Sequence, residues 1–151
     1  MDNIRAEYKY ENKALKDDIK WLRRLPFCFD AGKFRVIHAY WSDRNRKIIS
    51  ENRTKQKLTK KLLSEIFMAN SSLAVAVRQT TRGIEINLPH DLVIKDSNNT
   101  RRNNFRIKWW EYPKGKSFRD ISYGNKFLLP PYSIPPEIIP PFEVYPSDAP
   151  T

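Results

Sequence analysis

Eight of the chain's eleven prolines fall within residues 130–151, and a stretch so punctuated can be neither a helix nor a central strand. Between those prolines stand Tyr132, Ile134, Ile138, Ile139, Phe142, Val144 and Tyr145, so the segment reads as a loop whose apolar side chains dock on a folded body rather than as a bare extended linker. Residues 1–129 must then supply that body, and residues 130–151 form the docking segment. A chain of 151 residues has room for one ordinary core. Leu, Ile, Val and Phe make up about a quarter of it, above the roughly 20% below which chains stay disordered. Only 4 glycines are present, and inspection finds neither a Walker loop nor a dinucleotide fingerprint.

The body reads as mixed α and β. Leu15, Ile19, Leu22 and Leu25 recur at helical spacing beside Trp21, which predicts a core-facing helix running from Asn12 and stopped by Pro26. Phe27 and Phe29, then Phe34 and Val36, alternate around the polar loop 30–33, which predicts a β-hairpin that delivers His38, Ala39, Tyr40 and Trp41 at a strand end. Leu58, Leu62, Leu63, Ile66 and Phe67 predict a second helix. Ser71 or Ser72 can cap a third, through Leu73, Ala76 and Val77 to Gly83. Ile84 and Ile86, the run 92–94, the turn at Ser97, Asn98 and Asn99, and the alternation of Phe105, Ile107 and Trp109 with Arg106, Lys108 and Trp110 predict a second hairpin with one apolar and one cationic face.

The net charge of +11 is concentrated. Residues 44–61, from Arg44, Arg46 and Lys47 to Lys57, Lys60 and Lys61, form one basic patch, and Lys95, Arg101, Arg102, Arg106 and Lys108 form another. Both can meet phosphate, and both can equally be solvated faces. The longest apolar runs fall far short of the ~20 residues that cross a bilayer, and residues 1–10 show no secretory signal, so a cytoplasmic protein without membrane contact is expected. Cys28 is the only cysteine, which excludes an intrachain disulfide and every multi-cysteine zinc site and suits a small buried hydrophobe.

Nothing in the spacing of the two histidines, His38 and His90, with Cys28 or any serine suggests a nucleophile and its base. Taken alone, a single histidine at a strand end reads as a hydrogen-bonded structural residue before it reads as a ligand. The catalytic residues are not legible.

One longer pattern says more. Ile19-Lys-Trp21-Leu-Arg-Arg-Leu25-Pro26, then Phe34-Arg-Val-Ile-His38-Ala-Tyr-Trp41, then Leu88-Pro89 through Asp96, then Arg101-Arg102 through Phe105-Arg106-Ile107-Lys108-Trp109-Trp110, resembles the middle of the calcineurin-like metallophosphoesterases. The resemblance is to the bacterial branch related to Ser/Thr protein phosphatases and symmetrical diadenosine tetraphosphate hydrolases. It implies part of a four-layer α/β/β/α sandwich and a centre of two divalent ions, Mn, Fe or Zn. It further implies hydrolysis of phosphoric ester or anhydride bonds in a nucleotide, a dinucleoside polyphosphate or a phosphoprotein. His38 matches a metal ligand at the end of the family's central strand, and Arg119 and Arg102 are the implied phosphate contacts.

The family's Gly-Asp-x-His-Gly, Gly-Asp-x-x-Asp-Arg-Gly, Gly-Asn-His-Glu and Gly-His motifs do not occur here, and the nearest string, Gly124-Asn125-Lys126, carries lysine in place of histidine. The resemblance therefore implies the central portion of a longer enzyme, inactive by itself, with exposed sheet edges and a tendency to self-associate. The alternative from a different class is a basic module in which the two patches hold a nucleic-acid backbone while Trp109 and Trp110 stack a base.

Overall fold

A computed structural model of the chain describes residues 6–8, 12–52, 57–68, 70–89, 92–95, 98–124 and 129–144. His90, Arg53 and Lys55 of the basic patch, and the last residues of the proline-rich segment from Tyr145, lie outside them. In chain order come α1 (Asn12–Leu22), β1 (Cys28–Asp30), β2 (Arg35–Ile37), α2 (Asp43–Asn52), α3 (Lys60–Met68), α4 (Ser72–Arg82), β3 (Glu85–Asn87), β4 (Ile94–Lys95), β5 (Arg101–Arg102), β6 (Asn104–Arg106), α5 (Phe118–Ile121) and a 3₁₀ turn at Pro136–Ile138. The described sheets are antiparallel and two-stranded, so the chain is mixed α and β.

Ser71 and Gly83 bracket α4 as the sequence predicts. The Ser71 hydroxyl accepts from the Ala74 amide at 3.2 Å, and the Gly83 amide closes on the Gln79 carbonyl at 2.8 Å. Gly83 has φ of 87°, a backbone conformation that favours glycine, and a Cβ there would lie 3.1 Å from Cδ of Arg106. The stripe Leu73, Ala76 and Val77 meets Ile49 of α2 and Ile66 of α3, with Phe27, Ile48, Leu58 and Leu62 at the margin.

The helix α2 falls inside the first basic patch, where the run of charge hides it. Ser42 starts it by accepting from the Asn45 amide at 3.2 Å, and the buried Asn45 and Ile49 face α4.

The main core is built on the second hairpin. β3 pairs with β6, matching Ile86 with Phe105, and β4 pairs with β5 beyond it, matching Ile94 with Arg102. Ile84, Ile86, Leu88, Phe105 and Ile107 turn inward with Tyr40, Phe118, Ile121, Leu129 and Ile134. Arg101 and Arg106 turn outward opposite Lys95 and Glu85, as alternation requires, while Arg102 is exposed although it pairs with the buried Ile94.

The proline-rich segment docks on this core over its described part. The Phe118 amide donates to the Tyr132 carbonyl and the Ile134 amide to the Lys116 carbonyl, while Ile138, Ile139 and Phe142 close the edge of the core. At its far end the buried Tyr40 hydroxyl donates to the Glu143 carbonyl at 3.0 Å and accepts from the Glu143 amide at 2.9 Å.

Two expectations need correction. The α1 stripe forms a helix but does not face the core: no residue of α1 is buried, and Ile19, Trp21 and Leu22 are 44%, 61% and 55% exposed. Its tie to the body follows the helix, where Arg23 exchanges hydrogen bonds with the Leu58 backbone. The first hairpin forms, with Asp30 in the strand opposite Arg35 and Phe29 opposite Val36, but Phe29 and Val36 are exposed and Cys28 is only half-buried. A two-stranded ribbon covered on one side leaves its other face in water. No helix among the described residues is long and apolar enough to cross a membrane.

Candidate functional site

His38 leaves β2 at a bend, with its side chain exposed, and the chain on either side of it is anchored. The Ala39 amide donates to the Thr80 carbonyl at 3.1 Å, which fixes the bend to the last turn of α4. Tyr40 and Trp41 are then buried, the first latched to Glu143 as above and the second covered by two guanidinium groups. Cζ of Arg35 and Cζ of Arg46 lie 4.6 and 4.5 Å from the Trp41 ring centroid, inside the range of cation–π attraction.

Asp30 holds both arginines, Arg35 at 3.2 Å and Arg46 at 3.8 Å. The Gly32 amide, donating at 3.0 Å, and then the arginine charges hold the Asp30 carboxyl below its ordinary range. Burial pushes the Tyr40 hydroxyl up, so it remains a neutral donor and acceptor. Trp41 Nε1 and Thr80 Oγ1 are buried without a hydrogen-bond partner, one on each side of the His38 bend. Unpaired buried polar atoms are rare and collect where a structure serves something other than its own stability.

Arg119 sits on α5, whose start is set by a capping box between Ser117 and Asp120. The Ser117 hydroxyl, then its backbone amide, holds the Asp120 carboxyl below the ordinary value. Arg119 Nε donates to the Leu129 carbonyl at 2.6 Å, so this arginine ties α5 to the head of the proline-rich segment.

Arg102 lines a concavity of about 450 Å³ on the cationic face with Arg106, Asn104, Tyr123 and Glu85. His38 and Arg119 do not line that hollow, though Arg119 bonds the carbonyl of Leu129 at its edge, so the three residues singled out from the sequence do not share one site.

Among the described residues no three histidine, cysteine or carboxylate side chains come together as a metal site, and His38 is a single imidazole on its bend. A pair of ions needs more ligands than His38 alone supplies. Sequence reasoning did not single out Tyr123. Its ring meets that of Trp110 at 5.8 Å and 83°, and the only hint was that residues 121–123 follow an alternating run and can pair beside it. Compared with protein-family models, curated proteins and solved structures, the chain shows no match.

Proposed function

We propose that these residues are the central part of a metal-dependent phosphoesterase, to which they bring one ligand, His38, and which acts on phosphoric ester or anhydride bonds. The observation that carries the reading is the placement of His38: an exposed imidazole at the exit of a strand, on a bend pinned by Thr80 and followed by two buried rings. A ligand needs that combination, since a metal tolerates little positional freedom and the donor nitrogen must stay accessible. The two unpaired buried polar atoms beside the bend add support.

The reading carries with it the four-layer sandwich, with further metal ligands supplied from beyond the residues described here. Two ions of the Mn, Fe or Zn class would polarise the phosphoryl group and supply a hydroxide at neutral pH. Phosphorylated protein, nucleotide and dinucleoside polyphosphate all present the group such a centre takes. Arg102, outward on the cationic face, suits a phosphate contact better than Arg119, whose Nε is committed to the Leu129 carbonyl.

The test is the metal content and the p-nitrophenyl phosphate hydrolysis of the enzyme containing these residues, native and His38→Ala. Loss of one metal equivalent together with most of the turnover is expected. Unchanged metal content and rate would sink the assignment.

A further inference from the structure

The second hairpin carries a surface of which the phosphoesterase reading uses only Arg102. β6 is flanked on both sides: the Ile107 amide donates to the Ile84 carbonyl at 2.9 Å, while on the other edge the Lys108 amide donates to the Ile121 carbonyl at 2.8 Å and the Tyr123 amide to the Arg106 carbonyl at 2.8 Å. The chain leaving α5 at Ser122 therefore lies along the other edge of β6, bridged to Ile107. Ile86, Ile107 and Ile121 belong to the core, while Asn104, Arg106 and Tyr123 line the concavity, whose floor reaches the core residues Ile94, Phe105 and Leu129.

Beside that hollow the aromatic rings form a step. Trp109 and Trp110 meet edge to face at 5.4 Å, Trp110 and Tyr123 do the same, and Trp110 and Tyr123 remain 42% and 57% exposed. Rings held in water by other rings rather than by the core are an unusual use of apolar area. The stem of Arg106 passes over Gly83, and the Ser122 hydroxyl donates to the Gly124 carbonyl at 2.6 Å and fixes the turn that ends the step. Among the described residues that line the hollow, Glu85 is the one carboxylate, accepting from Asn104 Nδ2 at 3.5 Å, against the two cations Arg102 and Arg106.

We propose that this surface binds single-stranded nucleic acid, with an unpaired base stacked on Trp110 or Tyr123 and the adjoining phosphates at Arg102 and Arg106. Aromatic rings next to guanidinium groups match the alternation of base and phosphate along a single strand. In a duplex the bases are already stacked on one another and cannot reach the rings. An acidic or phosphorylated peptide would use the cations and leave the step idle.

The experiment is anisotropy of a labelled oligouridylate of about 12 nucleotides, and of its duplex, titrated between about 50 and about 200 mM salt. Single-strand binding is expected, with Trp110→Ala and Tyr123→Ala each weakening it about 5- to 100-fold at unchanged salt slope. Arg102→Gln and Arg106→Gln should each lower the slope by about 0.7. Tyr123→Leu keeps apolar volume and guards against a folding defect, and light-induced crosslinking from 5-bromouridine should map to the peptide holding Trp110 or Tyr123. Duplex binding as tight as single-strand binding, indifference to both aromatic substitutions, or no binding at about 50 mM salt would each overturn the proposal.

Discussion

The helices α1 and α4 have eleven residues each and carry an apolar stripe at helical spacing, yet α4 buries Leu73, Ala74, Ala76, Val77 and Thr80 while α1 buries nothing. The stripe of α4 is small and interrupted by Thr80. That of α1 includes Ile19, Trp21 and Leu22 and is the larger. What separates them is position: α4 is clasped by α2 and α3 and leads straight into β3 at Gly83, whereas α1 reaches the body through a short turn at Arg23. An amphipathic pattern states where a helix could be covered. Contacts distant in sequence decide whether it is.

The largest test of that contrast is Leu73→Ala, which should cost about 2–5 kcal/mol in urea unfolding, because the lost transfer energy is joined by a cavity between three helices. Equal losses for Leu73→Ala and Leu22→Ala would erase the distinction between the helices. Tyr40→Phe should come next, at about 1–2 kcal/mol, since it removes the hydroxyl that pairs with both backbone groups of Glu143. Its signature is faster proteolysis of the proline-rich segment than of the helices.

Ser71→Ala should cost about 1 kcal/mol, the ordinary value of an N-cap, read as a lowered melting temperature. Leu22→Ala and Trp21→Ala should each stay within about 0.5 kcal/mol, and a larger loss in either would mean that the α1 stripe is covered in solution.

The smallest effect is in pH. Hydrogen bonds from Lys116 and then Lys108 hold the Glu111 carboxyl below its ordinary value of 4.5. A carboxyl lowered by folding stabilises the native state fully above its unfolded value and loses that contribution as pH falls through the lowered one. Glu111→Gln should therefore flatten the acid side of the stability profile and leave α4 unaffected, as measured by urea midpoints at a series of pH values.

Much of this architecture is legible before any coordinates. Ser71 and Gly83 mark α4 because a hydroxyl cap and a left-handed glycine are local chemistry. Both hairpins follow from alternation, and the docking of Ile134, Ile138 and Phe142 follows from apolar residues too numerous to leave in water. The helix α2 escapes the same reasoning because charges at 43, 44, 46 and 47 swamp the two isoleucines that give its phase.

At the candidate site the strand-end placement of His38 is legible. The commitment of Arg119 to the Leu129 carbonyl is not, because a side chain bonding a backbone carbonyl leaves no trace in residue type. Nor is the meeting of Trp110 with Tyr123, which depends on residues 121–123 folding back beside β6.

The bond between Tyr40 and Glu143 spans 103 positions. A ribosome adding about 5–20 residues each second reaches the second partner about 5–20 s after the first. Throughout that interval the ring that ends as one of the most deeply buried in the protein has no lid, while α4 has all the neighbours it needs. Synthesis thus orders the two cores in time: the helical one can settle while the chain is still growing, and the hairpin one waits for its proline-rich strap, the period in which a chaperone or a nascent neighbour has its access to Tyr40.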